Sequence, residues 1–341
     1  MKIWAILGRP HLARRLKDKA VVRPISRTSL LLGALVAALA APVYAQGEPA
    51  AIQAPTTFRA AVEAVTVSVT VRDARGRVIR GLVAGDFELL DDGHLQPVAD
   101  FFGGEAPVSL AILLDVSGSM AVGGNMDRAR EAVHMVAAAL RPPLDEIALF
   151  TFDSTLQQVV PFTTDVSLVG QALLRGRPWG STSLFDSIEQ TAQRVAARAN
   201  RHRALLVITD GVDTASRLTA PEVSGIAAAI DVPVYLLAVV SPTDHPGGEF
   251  AVVPTQTART ESASLADLSK WTGGEMHTAS RPAHTAQAVQ DLMTELRHQY
   301  VISFEPGARP GWHPIEIRLR KKNMFAHTRG GYMAGPTRSG S

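Results

Sequence analysis

The first part of the chain alternates apolar and polar residues with a period of two. Val65–Val71 follows this pattern and predicts a half-buried strand. Phe87–Leu90 and Val98–Phe102 are also apolar, and Asp91-Asp92-Gly93 between them is typical of a hairpin turn. These residues predict a small N-terminal β unit over 61–104.

The last part of the chain returns to the same kind of pattern. Apolar residues predict strands over 300–304 and 315–319, with a further strand over 326–332. Strands that are distant in sequence often pair with one another. We therefore expect residues 299–334 to pack with the N-terminal β unit in one sandwich-like structure.

Between these ends, strand patterns alternate with helix patterns. Val108–Leu114 is a continuous apolar run, as expected for a central strand buried on both faces. Further strands are predicted at 147–152, 156–160, 204–209, 232–240 and 273–277, and helices at 126–140, 165–175, 184–199, 286–298 and after 219 and 264. This alternation predicts an α/β domain over 105–298 with a doubly wound, mostly parallel, Rossmann-like sheet.

The first 45 residues have the pattern of an export signal. A basic region precedes a short apolar run, and Val43-Tyr44-Ala45 has small residues at the positions that a signal peptidase requires. We predict cleavage after Ala45, with an uncleaved membrane anchor as the alternative. Residues 46–60 are rich in Pro, Ala and Gln and predict a flexible leader. The protein is thus expected in the periplasm, on the cell surface or in the medium.

The charge of the chain changes once this segment is set aside. The whole chain has a net charge of +2, but residues 1–45 hold eight basic side chains and one acidic one. The remaining residues hold 26 basic and 31 acidic side chains, a net charge of −5. This balance argues against nucleic-acid binding. The chain has no cysteine, which excludes disulfides, thiolate metal sites and thiol nucleophiles.

The central apolar strand ends in Asp115-Val-Ser117-Gly-Ser119. In an open α/β sheet, ligands bind outside the carboxyl ends of the strands. One interpretation is a turn that caps the following helix. The other is a set of oxygen ligands for a hard cation such as Mg²⁺.

Two further segments favour the cation. Trp179-Gly-Ser-Thr182 lies in a loop that opens a helix, where Thr182 could cap the helix or bind a metal. Another apolar strand ends in Asp210-Gly211, which places a second carboxylate at the same edge of the sheet.

Together these three segments resemble the von Willebrand factor type A domain over roughly residues 107–300. The resemblance implies a metal-ion-dependent adhesion site, with Mg²⁺ (or Mn²⁺ or Ca²⁺) held by Asp115, Ser117, Ser119, Thr182 and Asp210. It also implies a coordination position that an Asp or Glu of a partner protein would fill.

The flanking residues look like those of an exported bacterial subgroup of this family. Shared features include Thr272-Gly273-Gly274 and Arg329-Gly-Gly-Tyr332. The Pro/Thr/Gly-rich stretch at 241–262 departs from the family pattern, and we interpret it as an insertion loop.

Residues beside the expected ligands form a candidate partner-binding rim of Trp179, Ser181 and Asp213. Trp179 is expected either to shape this rim or to pack inside. Asp213 is expected to be solvated, and Asp153 and Asp186 to orient loop backbone. The ten histidines show no paired metal-ligand spacing and are expected to be surface or hydrogen-bonded core residues.

Three functions are compatible with these residues. The first is a non-catalytic, exported module that binds a protein partner through the metal. The second is an assembly component of an envelope complex, in which the metal is secondary. The third, a metal-dependent hydrolase, is disfavoured because the three loops contain no histidine and no Gly-x-Ser-x-Gly motif.

Overall fold

The computed structural model describes residues 64–173, 178–211, 213–240, 265–307 and 309–335. The predicted export signal (1–45), leader (46–60) and insertion loop (241–262) lie outside these residues. None of the helices in the described ranges is long and apolar enough to cross a membrane.

The described residues form a succession of strands and helices. The strands are β1 (Val65–Asp73), β2 (Phe87–Asp91), β3 (His94–Gln96), β4 (Asp100–Gly103), β5 (Val108–Asp115), β6 (Glu146–Phe152), β7 (Leu156–Thr163), β8 (His202–Thr209), β9 (Val234–Val239), β10 (Met276–Ala279), β11 (Tyr300–Phe304), β12 (Gly311–Leu319), β13 (Met324–Thr328) and β14 (Gly331–Ala334). The helices are α1 (Asn125–Ala139), α2 (Ser167–Leu173), α3 (Leu184–Ala196), α4 (Ala220–Ala229), α5 (265–272) and α6 (Pro282–Arg297).

A six-stranded sheet forms the centre of the α/β domain, in the order β10-β9-β8-β5-β6-β7. All neighbours are parallel except β6 and β7. Every residue of β5 is buried, because helices cover both faces of the sheet. Leu110 and Ile112 pack towards α1 and α6, whereas Ala111 and Leu113 pack towards α3 and α4. This arrangement confirms the predicted fold class.

The N- and C-terminal strands form a β sandwich, also as predicted. One sheet has the order β13-β1-β11-β4 and the other β14-β12-β2-β3. Alternate residues of both sheets face a shared apolar core, which includes Val69 of β1, Leu89 of β2 and Phe304 of β11. Since β4 leads into β5 and α6 leads into β11, the sandwich is joined directly to the α/β domain.

The hairpin at Asp91-Asp92-Gly93 differs from the predicted one. The turn joins β2 to β3, with Asp91 opposite His94. It does not join β2 to β4, which occupies the second apolar segment. Asp92 and Gly93 have φ of 51° and 79°, which suits a two-residue hairpin turn. Pro97 follows β3 and has no backbone N–H group to donate to a neighbouring strand. The next strand, β4, pairs with β11 in the opposite sheet.

The strand predicted over 326–332 is also two strands. β13 belongs to one sheet and β14 to the other, and the chain crosses between them at Arg329-Gly330. The Arg329 side chain is only 3% exposed. Its guanidinium donates to the backbone oxygens of Ala228, in the last turn of α4, and Thr66, in β1.

Asp231 completes this junction. Its Oδ1 lies 3.4 Å from Arg329 Nε, and its carboxylate accepts the Ser68 N–H at 3.3 Å and the Ser68 hydroxyl at 3.2 Å. Because Arg329 and Asp231 are both buried, the ion pair links the crossing chain, β1 and the end of α4.

Substitution of Arg329 with methionine is expected to lower the free energy of unfolding by roughly 3–5 kcal/mol, because Asp231 would remain buried and unpaired. Urea unfolding would measure this. The matched control is Arg309→Met, which removes an exposed pair with Asp92 at 2.8 Å and should cost less than about 1 kcal/mol. Equal losses in the two variants would contradict a structural role for the buried pair.

Candidate metal centre

The buried carboxylate of Asp115 is oriented from two sides. Asp115 is the last residue of β5 and has no exposed surface. Its Oδ1 accepts the Ser117 N–H at 2.8 Å, and its Oδ2 accepts the Thr209 hydroxyl at 2.7 Å. Thr209 ends β8 and itself accepts the Gly211 N–H at 3.0 Å. The neighbouring strand therefore positions the carboxylate.

Two serine hydroxyls lie beside this carboxylate. Ser117 is buried and Ser119 is exposed, and their Oγ atoms are 3.1 Å apart. A single 3₁₀ turn, Gly118–Ala121, follows Ser117 without a side-chain cap. Helix α1 begins only at Asn125, after Gly124 in a left-handed conformation. These side chains therefore do not cap α1, which weakens the interpretation as a capping turn.

The loop that carries Thr182 is bound to the Asp115–Ser119 loop through its backbone. The Trp179 N–H donates to Val116 O at 2.8 Å, and the Gly118 N–H donates to Gly180 O at 3.0 Å. Gly180 has φ of +91°, a backbone conformation that favours glycine, and it lies against the Asp153 side chain.

Thr182 does not cap α3. The cap residue is Ser183, and the first N–H groups of the helix are bound by other side chains. Leu184 N–H donates to Asp213 Oδ1 at 3.2 Å, and Phe185 N–H donates to Ser216 Oγ at 2.9 Å. Thr182 is buried, and its backbone is held by Thr214 through hydrogen bonds of 2.9 Å in both directions.

Burial opposes the ionisation of both carboxyl groups. It raises the pKa of Asp115 to about 6, and the nearby charge of Asp210 contributes to the rise. Burial also raises the pKa of Asp210, although the side chains of Ser119 and Asn125 oppose that change. Oδ1 of Asp210 is buried without a hydrogen-bond partner. A desolvated carboxylate oxygen without a partner is costly in the protein alone.

This donor set fits a hard cation. The contacts above bring Asp115, Ser117, Ser119 and Asp210 together, and backbone hydrogen bonds hold the Thr182 loop next to them. Carboxylate and hydroxyl oxygens are the ligands that Mg²⁺ and Ca²⁺ prefer. No three His, Asp or Glu side chains in the described ranges cluster around a possible metal position, so a cation at this site would depend on hydroxyl donors as well as on the two carboxylates.

The predicted rim residues have different environments. Trp179 is 82% exposed, so it does not pack inside, and Ser181 is also exposed. Asp213, expected to be solvated, is half-buried and accepts the N–H groups of Leu184, Ala215 and Ser216. It positions two loops relative to each other.

Asp153 and Asp186, expected to orient loop backbone, both accept backbone N–H groups. Asp186 accepts the N–H groups of Arg217 and Leu218 at 3.1 and 2.9 Å. Asp153 accepts the Thr155 N–H at 2.8 Å.

One histidine differs from the expectation of hydrogen-bonded core or surface residues. His202 is fully buried, and neither ring nitrogen has a hydrogen-bond partner. Burial lowers its pKa to about 4, so the ring is neutral near pH 7. Phe102 of β4 packs against it edge-on, with ring centroids 5.9 Å apart.

Two residues near the site were not identified from the sequence. Thr209 holds Asp115, and Asn125 interacts with Asp210. The side chain of Arg128 donates to Asn125 Oδ1 at 2.6 Å and so orients that amide. Thr209 could have been identified from the sequence, because it lies at a strand end next to Asp210. For Asn125 the sequence offers none, because a left-handed glycine turn brings it back towards β8.

The chain is similar to known proteins of one family. The family model described as von Willebrand factor type A domain matches residues 110–212. The comparison with curated proteins finds no match.

Solved structures with similar folds include three from different bacteria. BatB, a conserved hypothetical protein from Bacteroides thetaiotaomicron, is 19% identical with a TM-score of 0.44, over 55% of this chain and 98% of BatB. A von Willebrand factor type A protein from Catenulispora acidiphila is 12% identical with a TM-score of 0.44, over 83% of this chain and 76% of that chain. The vWF domain of the type V pili tip protein Mfa5 from Porphyromonas gingivalis is 12% identical with a TM-score of 0.41, over 56% of this chain and 95% of that chain. At such identities and TM-scores these likenesses carry no functional information.

The raised pKa of Asp115 predicts how the metal-free protein responds to pH. Above pH 6 the folded protein holds a desolvated carboxylate, so the contribution of Asp115 to stability is lost as pH rises from about 4 to about 6. Asp115→Asn removes the charge. It should therefore stabilise the metal-free protein above pH 6 by up to roughly 3 kcal/mol, and have little effect near pH 4.

Thermal unfolding in chelator, across this pH range, measures the difference between the two proteins. The comparison with wild type is needed because His202 has the opposite effect. Its lowered pKa makes stability increase with pH between about 4 and 6.5, equally in both proteins. A difference that does not grow with pH would contradict the assigned cost of burying Asp115.

Proposed function

The chain is a von Willebrand factor type A domain protein, and on that premise we propose that it is a non-catalytic binding module. It holds a divalent cation at the end of β5 and uses it to bind an Asp or Glu of a partner protein. The observation that carries this proposal is the buried, unpartnered Oδ1 of Asp210 beside the buried Asp115 carboxylate.

The residues that would hold the cation are Asp115, Ser117, Ser119, Thr182 and Asp210. Two carboxylates supply the charge, and the hydroxyls supply neutral oxygen donors. The bound cation would supply an open coordination position for a carboxylate. Mg²⁺ is the first candidate because the donors are all oxygens, with Mn²⁺ and Ca²⁺ as alternatives.

The exposed Trp179 supports a protein partner. Its backbone is bonded to Val116, next to the site, while its indole ring is 82% exposed. Exposed tryptophans are enriched at the energetically important positions of protein interfaces. A metal–carboxylate contact covers little area, so the exposed rim residues Trp179 and Ser181 would provide specificity, while Asp213 positions the loops beneath them.

The composition of the three loops favours binding over hydrolysis. Residues 115–122, 178–186 and 209–216 contain no histidine, lysine or cysteine. A hydrolase needs a general base or nucleophile beside the cation, and here the hydroxyls and carboxylates are assigned to holding it.

Export is part of the proposal and rests on residues 1–45. Their basic region, apolar run and Val43-Tyr44-Ala45 would place the binding module in the periplasm, on the cell surface or in the medium.

Calorimetric titration should show saturable, one-site binding of Mg²⁺ and Mn²⁺ to the protein. Asp115→Ala should abolish it, since the variant lacks one of the two carboxylates. The matched control is Asp127→Asn, which alters an acid of α1 that is 85% exposed and should leave affinity unchanged. Absence of saturable binding to the wild-type protein, or equal binding by a folded Asp115→Ala variant, would contradict the proposal.

A partner should be retained by the immobilised protein in Mg²⁺ and released by chelator. Trp179→Ala should weaken retention at least about tenfold, because truncation of such an interface residue costs about 2 kcal/mol, while Mg²⁺ affinity stays unchanged. Asp→Asn substitutions in the captured protein then identify the acidic residue. Retention that persists in chelator and in Asp115→Ala would show that the metal is not the contact.

A further inference from the structure

A cavity lies at the junction of the α/β domain and the sandwich. Its volume is about 380 Å³, and its walls come from α4, α5 and β12. Small residues of α4 form one side, including Ser224 and Gly225, and the other side carries Trp271 and Trp312. Protein pockets that bind small molecules have volumes in this range and often occur where domains meet.

The glycine pair Gly330-Gly331 packs against the two indole rings of this cavity. A Cβ atom at Gly330 would lie 1.9 Å from the Trp271 ring, and one at Gly331 would lie 2.5 Å from the Trp312 ring. Both indoles are thus packed on bare backbone. Gly330 N–H also donates to Trp271 O at 2.8 Å.

The same constraint applies on the other side of the junction. A Cβ atom at Gly273 would lie 2.9 Å from the Arg329 backbone nitrogen, and one at Gly274 would lie 2.2 Å from Val234 O. The two glycine pairs therefore bring the chain crossing and the end of α5 together, and the proposed metal centre does not involve them.

The cavity has the electrostatic character of a cation site. The centroids of the two indole rings are 6.1 Å apart, with the rings inclined at 64°. The π-face of an indole attracts cations. Asp267 is the one charged residue among the described lining residues, and it is an exposed carboxylate. Trp271 remains 48% exposed, so a ligand can reach the rings.

The polar groups of the cavity favour a quaternary ammonium over a primary one. A primary ammonium has three N–H donors and is strongly hydrated, so it needs several acceptors. Among the described lining side chains only two groups can accept, the Asp267 carboxylate and the Ser224 hydroxyl, whose proton is donated to Ala220 O at 2.7 Å. A quaternary ammonium has no N–H group to satisfy, and its methyl groups contact aromatic faces.

We propose that this cavity binds a trimethylammonium group, with Trp271 and Trp312 as its aromatic walls and Asp267 as its counter-charge. The group could belong to a free small molecule or to a phosphocholine headgroup. The proposal is independent of the metal centre.

Choline is the first probe, and chelator is present throughout so that the metal centre plays no part. Binding is measured by saturation-transfer NMR on the N-methyl protons and by calorimetry. The neutral isostere 3,3-dimethylbutan-1-ol has the same shape without the charge. Choline should bind at least about tenfold more tightly than the isostere, as expected for a cation–π contact with a partly desolvated ring.

Two variants test the assigned residues, and a third serves as a control. Asp267→Asn changes an exposed side chain and should weaken choline binding about threefold or more, with Trp312→Leu causing a larger loss. Trp179→Leu is the matched control, because it removes an exposed tryptophan elsewhere and should have no effect. Thermal unfolding shows whether Trp312→Leu is folded. If that variant is unfolded, Asp267→Asn provides the test.

Phosphatidylcholine vesicles distinguish the two sources of the group. Co-sedimentation that depends on Trp312 would identify a headgroup, and choline binding without co-sedimentation would identify a free ligand. Equal binding of choline and the isostere would overturn the proposal in favour of an apolar site. No choline binding, or binding unchanged in both Asp267→Asn and Trp312→Leu, would also overturn it.

Discussion

The burial of β5 on both faces is the constraint on which the rest of the structure depends. All of its residues are buried, and parallel neighbours flank it on either side. A strand in this position must be apolar along its length, so a carboxylate is tolerable only at its end. That end is Asp115, where the edge of the sheet and the loops of the neighbouring strands meet. The apolar core thereby determines where a desolvated charge is held.

The surroundings of Asp115 show how the fold maintains such a charge. Thr209 on the next strand and the Ser117 backbone bind its two oxygens, while backbone hydrogen bonds secure the Thr182 loop. These contacts orient the carboxylate but do not remove the cost of burial, which is seen in its raised pKa. Carboxyl groups with such a perturbed pKa cluster at functional sites, and a cation held there, as proposed above, would offset the cost of burial.

The sandwich is joined to the α/β domain by contacts of another kind. Arg329 and Asp231 form a buried ion pair, and glycine pairs on both sides permit backbone and indole rings to approach closely. Desolvation offsets much of the attraction within a buried ion pair, whereas removal of one partner leaves the other charge buried and unpaired. The junction therefore fixes how the two layers meet and leaves a cavity beside it. The proposed metal centre and the cavity use different residues of one framework.

The sequence by itself determined most of the elements and the α/β class, and it indicated the residues proposed to form the cation site. It did so because apolar periodicity and strand-end polar residues are local properties of the chain. Tertiary structure alone decided that β4 leaves its hairpin to join the opposite sheet, and that 326–332 crosses between two sheets. It also decided that Asp213 binds the start of α3, that Asn125 reaches Asp210, and that Trp271 meets Trp312. These are contacts between segments distant in the chain or turned by a left-handed glycine, and no local pattern encodes which partners meet.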